Sequence, residues 1–271
     1  MALATWRAVS PQNHYPLSIV HYPLLIVNCP LLIQKNILSD HSLLAFWKME
    51  ESEEQLHAMC DLCDEDLCRI DNCKAPKRRI ELLSVRALLK AVGINQTIHY
   101  NDSKPYLDNG YISISHSADI AAIIYNPDYP VGIDIEKISP RIQRIATRAF
   151  SDEEIAVANG DLEKLTILWN CKECVFKLAD DEGIDFREMI SIQLAEMSPE
   201  TPPETPPERQ SKGQSKGQSK GSRNGSIIEV PRGLSEGLID AALTKSGKTR
   251  HFSLSSMKIE DNTVVFGREL Q

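Results

Sequence analysis

Between Val131 and Glu136 the chain alternates: Val131, Ile133 and Ile135 are apolar, while Gly132, Asp134 and Glu136 are not. A period of two predicts a strand with one buried face, and it sends Asp134 and Glu136 out of the other, about 6.5–7 Å apart along the strand. Further on, the period lengthens. Trp169, Glu173 and Lys177 stand at i, i+4 and i+8, which places them on one face of a helix running to about Asp180. Between the two, Arg141, Arg144 and Arg148 follow at i, i+3 and i+7 and predict a basic stripe on one helix face. Phe150 and Ser151 divide that helix from the next. Ser151 and Glu154 have capping-box spacing, and Gly160-Asp161 makes the following break.

The first half reads in the same way. Leu43 to Met49 predicts a strand, and Glu50 to Arg69 an acidic helical stretch. Leu82, Val85, Leu89 and Val92 mark one buried stripe of a helix that Gly93 closes. Arg79, Arg86 and Lys90 fall close to one face of that helix. Ala121 to Tyr125 predicts an apolar strand, followed by a turn over Asn126 to Pro130. Met189 to Leu194 predicts another strand, and His251 to Lys258 with Thr263 to Phe266 a closing hairpin. Helices and strands thus recur in both halves in similar order, with the break near Tyr129.

Two stretches leave these patterns. Tyr15 to Ile33 is apolar, but Pro16, Pro23 and Pro30 interrupt it, which argues against a membrane-spanning helix. HYPL occurs at His14 and again at His21. No basic start and small-residue cleavage site mark a signal peptide. Residues 1–29 are expected to be a poorly ordered extension, with the fold starting near Pro30. Residues 196–226 run through PPET and QSKG repeats with no apolar face to bury, so a disordered insertion between core strands is expected. The resulting organisation is an N-terminal subdomain over 30–128 and a C-terminal one over 129–271.

Composition narrows the function classes. The chain has 271 residues, of which 42% are apolar, enough for a real core. A net charge of −8 argues against general nucleic-acid binding. Seven cysteines, an odd number, and no secretory signal point to a reduced, cytoplasmic setting. Cys60, Cys63, Cys68 and Cys73 have the spacing of a zinc knuckle with Cys in place of the usual His. The preferred alternative is a helix and turn with small buried thiols, since no glycine lies between them to make a tight turn. Cys171 and Cys174 form a CxxC inside a helix, without the surroundings of a redox motif.

The chemistry concentrates at the acidic strand. Two carboxylates as close as Asp134 and Glu136 repel each other unless a hard divalent cation sits between them. Glu173 would bring a third carboxylate and Lys177 a cation one turn on. Carboxylates beside a lysine suit Mg²⁺ and a phosphate-rich substrate.

GIDIE at Gly132 to Glu136, followed a little over 30 residues later by WxxKExxxK from Trp169 to Lys177, resembles the Sfp-type 4′-phosphopantetheinyl transferases. The resemblance implies an α+β fold: two similar α/β subdomains with pseudo-twofold symmetry and the active site in the cleft between them. The chain's length agrees with the two-lobed, monomeric branch. The implied reaction moves the 4′-phosphopantetheine arm of coenzyme A to a serine of an apo acyl or peptidyl carrier protein, releasing adenosine 3′,5′-bisphosphate. By the same resemblance Asp134, Glu136 and Glu173 hold Mg²⁺, Glu173 is the general base, and Lys177 neutralises phosphate charge. Lys104 (in Lys104-Pro105), Ser115 and His116 (in SISHS) match the family's coenzyme A contacts, with Arg79 and Arg86 as further candidates. Ala118 stands where the family commonly has a glycine, which bears on one backbone contact. Acidic carrier proteins are natural partners for the stripe at Arg141, Arg144 and Arg148. The alternative is a catalytically inactive coenzyme A- or carrier-binding protein of the same fold. The intact acidic triad argues against it.

Overall fold

The computed structural model describes residues 31–194 and 238–271, together with the backbone of Ile19–Val20. The low-complexity segment 196–226, and residues 1–29 apart from that short strand, lie outside the described residues. Strands β1 (Ile19–Val20), β2 (Leu32–Leu38), β3 (Leu43–Lys48), β6 (Tyr111–His116) and β7 (Ile120–Asn126) form one sheet in the order β1-β2-β3-β7-β6. A short hairpin of β4 (His99–Asn101) and β5 (Lys104–Tyr106) precedes β6. The second sheet has the order β8-β12-β11-β10-β9, from β8 (Gly132–Lys137), β9 (Ile190–Leu194), β10 (Leu238–Lys245), β11 (Lys248–Ile259) and β12 (Asn262–Glu269). All pairings in both sheets are antiparallel. The content is α+β, as expected.

Helices α1 (Glu53–Met59), α2 (Asp64–Asp71) and α3 (Pro76–Val92) lie between β3 and β4, and α3 stops at Gly93 in the left-handed conformation, φ 84°. The acidic stretch 50–69 is therefore two helices, because Cys60 and Cys63 are both extended. In the second half come α4 (Ala146–Ala149), α5 (Asp152–Ala158), α6 (Leu162–Ala179) and α7 (Phe186–Met189). Ser151 and Glu154 make the capping box, and α6 ends at Asp180 with φ 54°. In both halves a strand leads into helices, and a later hairpin returns its last strand beside the first: β7 beside β3, and β12 beside β8.

Strand alternation divides the core into three. Ala45 and Trp47 of β3 pack with Leu83 and Leu88 of α3. Val265 of β12 packs with Leu168 and Val175 of α6. Leu44 and Phe46 point the other way and meet Ile133 and Ile135 of β8 and Val264 and Phe266 of β12 in a cluster shared by both sheets. Each large apolar side chain buried there contributes about 1.5–3 kcal/mol.

One expectation changes here. Arg141, Arg144 and Arg148 do not lie on one helix: Pro140–Arg144 is a 3₁₀ turn, and α4 begins only after Ile145. The short turns are dictated by burial of Ile142, Ala146 and Ala149 in the α6 cluster. All three arginines remain exposed, and a 3₁₀ turn still aligns Arg141 with Arg144 because residues i and i+3 eclipse. Strand β10 had no alternation strong enough to predict it. Among the described residues no helix is long and apolar enough to cross a membrane.

Candidate active site

Strand β8 and helix α6 meet at Gly132. A Cβ there would stand 2.8 Å from Leu178 Cγ and 3.0 Å from both the Cys174 carbonyl oxygen and its sulfur. The missing side chain lets the helix lie against the strand. With Ile133 and Ile135 committed to the shared core, Asp134 and Glu136 turn toward α6 and Glu173. Asp134 is only 5% exposed. Lys177 Nζ donates to Asp134 Oδ1 and to the Ile133 carbonyl oxygen, both at 2.8 Å. The lysine is thus directed at the strand, one turn beyond Glu173. Burial pushes Glu173 up to about 7, helped by Asp134 and opposed by Lys177. Glu136 is likewise pushed up to about 7, first by burial and then by Asp134 and Glu173.

Ser115 and His116 approach from β6. Ser115 Oγ donates to Asp134 Oδ1 at 2.8 Å. His116 Nε2 lies 2.5 Å from Arg78 Nη1, and the same Arg78 nitrogen donates to Glu81 Oε2 at 2.9 Å. Burial holds His116 below the ordinary histidine range; Arg78 and Lys177 act in the same direction, and Glu81 against them. Lys104, on β5, pairs with Asp180 at 2.7 Å, just past the end of α6 that carries Lys177. The structure therefore gathers Lys177, Ser115, His116, Asp134, Glu136 and Glu173 where β6, β8 and α6 converge, with Lys104 beside them.

Arg79 and Arg86 are not in this group. Arg79 is bidentate to Glu53 of α1, at 2.7 and 2.9 Å. Arg86, 7% exposed, donates to Asp66 Oδ1 at 2.7 Å and to Tyr100 Oη at 3.2 Å. Seven residues apart, they share a helix face, and that face looks at α1 and α2. Arg78 lies about 100° around the helix and reaches the site instead. No spacing rule singled it out in a run of three basic residues. Glu154 was also missed, apart from its capping role. Its Oε2 pairs with the fully buried Lys172 Nζ at 2.7 Å, and its Oε1 accepts from Ile192 N–H at 3.0 Å. Lys172 also donates to the carbonyls of Phe186 and Ile190. Trp169 packs on Phe186 with ring centroids 5.5 Å apart.

The donor set suits a hard cation. Three carboxylates interact through their charges, and one is buried with an oxygen, Asp134 Oδ2, that has no hydrogen-bond partner. Their oxygens are not drawn around a common point: among the described residues no His, Cys, Asp or Glu group of three or more is already arranged to hold a metal. The thiols of the possible zinc knuckle turn to different neighbours, Cys60 to the Leu83 carbonyl, Cys63 to Asp66 and Cys73 to the Ala75 carbonyl.

Comparison with known proteins bears on this geometry directly. A sequence model of the 4′-phosphopantetheinyl transferase superfamily matches residues 130–224, the stretch that contains β8 and α6. Through these residues the chain is similar to the 4′-phosphopantetheinyl transferase superfamily. The chain is also similar to the 4′-phosphopantetheinyl transferase HetI of Nostoc sp. (strain PCC 7120), 26% identical over 186 residues that cover 60% of this chain and 78% of that protein. Transfer of phosphopantetheine is the general activity supported by both likenesses.

Proposed function

We propose that this chain is a two-lobed, Sfp-type transferase that moves the 4′-phosphopantetheine arm of coenzyme A to a serine of an apo acyl or peptidyl carrier protein. The observation that carries the reading is the convergence of Asp134, Glu136 and Glu173 with Lys177 at the junction of β8 and α6. In this reading the lobes are residues 30–128 and 129–271, each built on one of the two sheets. The protein acts as a cytoplasmic monomer.

Asp134, Glu136 and Glu173 would hold Mg²⁺. The bound ion would supply neutralisation of the pyrophosphate charge. Glu173 accepts the proton of the carrier serine, directly or through a water. The serine oxygen forms its bond to the phosphorus bearing the pantetheine arm. The bond from that phosphorus to the adenosine-bearing phosphate breaks, and adenosine 3′,5′-bisphosphate leaves. Lys177 steadies Asp134 in the resting site, and its charge lies within reach of the departing phosphate. Lys104 and Arg78 form the cationic side that receives coenzyme A, with His116 held against Arg78. Arg78 replaces Arg79 and Arg86 in that role, because it stands beside His116 while those two guanidinium groups face α1 and α2 and pair with Glu53 and Asp66.

Intact mass of apo acyl and apo peptidyl carrier proteins, incubated with the chain, coenzyme A and Mg²⁺, tests the reading. The expected result is a gain equal to the phosphopantetheine arm, lost with EDTA and abolished in Glu173→Ala with the fold retained. Full transfer by Glu173→Ala would reject the mechanism. No gain on either carrier, with coenzyme A still bound, would favour a binding protein.

A further inference from the structure

Ser113, Ser115 and Ser117 alternate at the end of β6 and beyond it, each no more than 7% exposed. All three hydroxyls cross from the first sheet to the second. Ser113 Oγ accepts from Ile133 N–H at 3.2 Å, and Ser115 Oγ accepts from Ile135 N–H at 3.3 Å. Ser117 Oγ donates to Asn262 Oδ1 at 2.7 Å. Strand β8 ends its sheet, with β12 on its other side. The serine hydroxyls therefore take the place of a neighbouring strand's carbonyls, and they satisfy buried N–H groups that would be costly to leave unpaired.

Ser115 does something that Ser113 does not. Its hydrogen goes to Asp134 Oδ1 at 2.8 Å, the same oxygen that Lys177 Nζ takes at 2.8 Å. Both protein partners of this carboxylate thus sit on one oxygen, and the other, Oδ2, is buried without a partner. Two donors on Oδ1 fix the rotation of the carboxylate. They leave Oδ2 as the oxygen a cation would meet.

We infer that Ser115 is a positioning residue for the cation site: it anchors Asp134 through Oδ1 and so presents Oδ2. This rests on the Mg²⁺ reading proposed above. It also gives Ser115 a different task from the coenzyme A contact that its place in SISHS implied. A serine 6% exposed, with its hydrogen already committed to a carboxylate, has little left to offer an incoming ligand.

The test is Mn²⁺ binding to the full chain without coenzyme A, followed by electron paramagnetic resonance of the free ion. Ser115→Ala is expected to weaken binding about tenfold, the usual cost of losing an outer hydrogen bond to a metal ligand. Ser115→Thr, which keeps the hydroxyl, should restore it. Ser113→Ala removes the equivalent strap to β8 and should bind Mn²⁺ as the unaltered chain does. Should Ser115→Ala fail to fold, Ser115→Cys, with a similar size but a weak donor, takes its place. Undiminished Mn²⁺ binding by the Ser115 variants, or an equal loss in Ser113→Ala, would overturn the inference. So would a loss of metal-free coenzyme A binding in Ser115→Ala, which would mark a direct contact. If the unaltered chain itself binds no Mn²⁺, the cation reading falls, and this inference with it.

Discussion

Arg78 and Arg86 show how neighbouring charges on one helix acquire opposite tasks. Arg86 is buried against Asp66, which is itself 4% exposed. Arg86→Ala would leave that carboxylate buried and unpaired, at a cost of about 3–5 kcal/mol. The expected outcome is a large fall in Tm, measured by thermal melting, with coenzyme A affinity retained in the protein that remains folded. Arg78 is half exposed, with its guanidinium bonded to His116 and Glu81. Arg78→Ala should leave Tm nearly unchanged and raise the KM for coenzyme A roughly tenfold, the loss of one charge-assisted contact to phosphate. Steady-state kinetics against coenzyme A would check it; an unchanged KM would remove Arg78 from the site. Periodicity correctly grouped Arg79 with Arg86, since that depends only on helix geometry. It did not say which way their common face looked, because that is decided by where α1 and α2 pack.

At the scale of elements, the pairing of β8 with α6 was the most legible part of the chain. A two-residue period and a 3.6-residue period each assign side chains to faces without reference to anything distant. The same local rules located Gly93, the capping box at Ser151 and the end of α6. They misread Pro140–Ala149 as one helix, because burial of Ile142 and Ala146 under α6 decided its winding. The spacing between β8 and α6 is the sensitive quantity. Gly132→Ala would press a methyl group into Cys174 and Leu178 and force the two apart. It is expected to lower Tm and to reduce carrier modification more than its stability loss explains, measured at a temperature where the variant remains folded. Wild-type activity in Gly132→Ala would show that the site tolerates a wider gap.

Over the whole molecule, the two sheets share a core and meet at a seam where serines of β6 clasp β8. After β8, in the short turns packed against α6, Arg141, Arg144 and Arg148 stand exposed on a chain whose net charge is −8. Long-range attraction to an acidic carrier is not expected from the total charge, but a local basic patch would orient the encounter. Reversing Arg144 and Arg148 to Glu should raise the KM for carrier, with a weaker salt dependence, and leave that for coenzyme A alone. Equal effects on both substrates would reject a docking role. The amino-acid sequence by itself determined the strand, the helix, the faces of Asp134, Glu136, Glu173 and Lys177, and the breaks between elements, because all of these follow from backbone period and local capping. Only the tertiary structure decided that Arg78 faces His116, that Lys177 and Ser115 share one oxygen of Asp134, and that alternating serines bind one sheet to the other. Those contacts join residues tens of positions apart, and their geometry is set by packing across the seam, which no local period records.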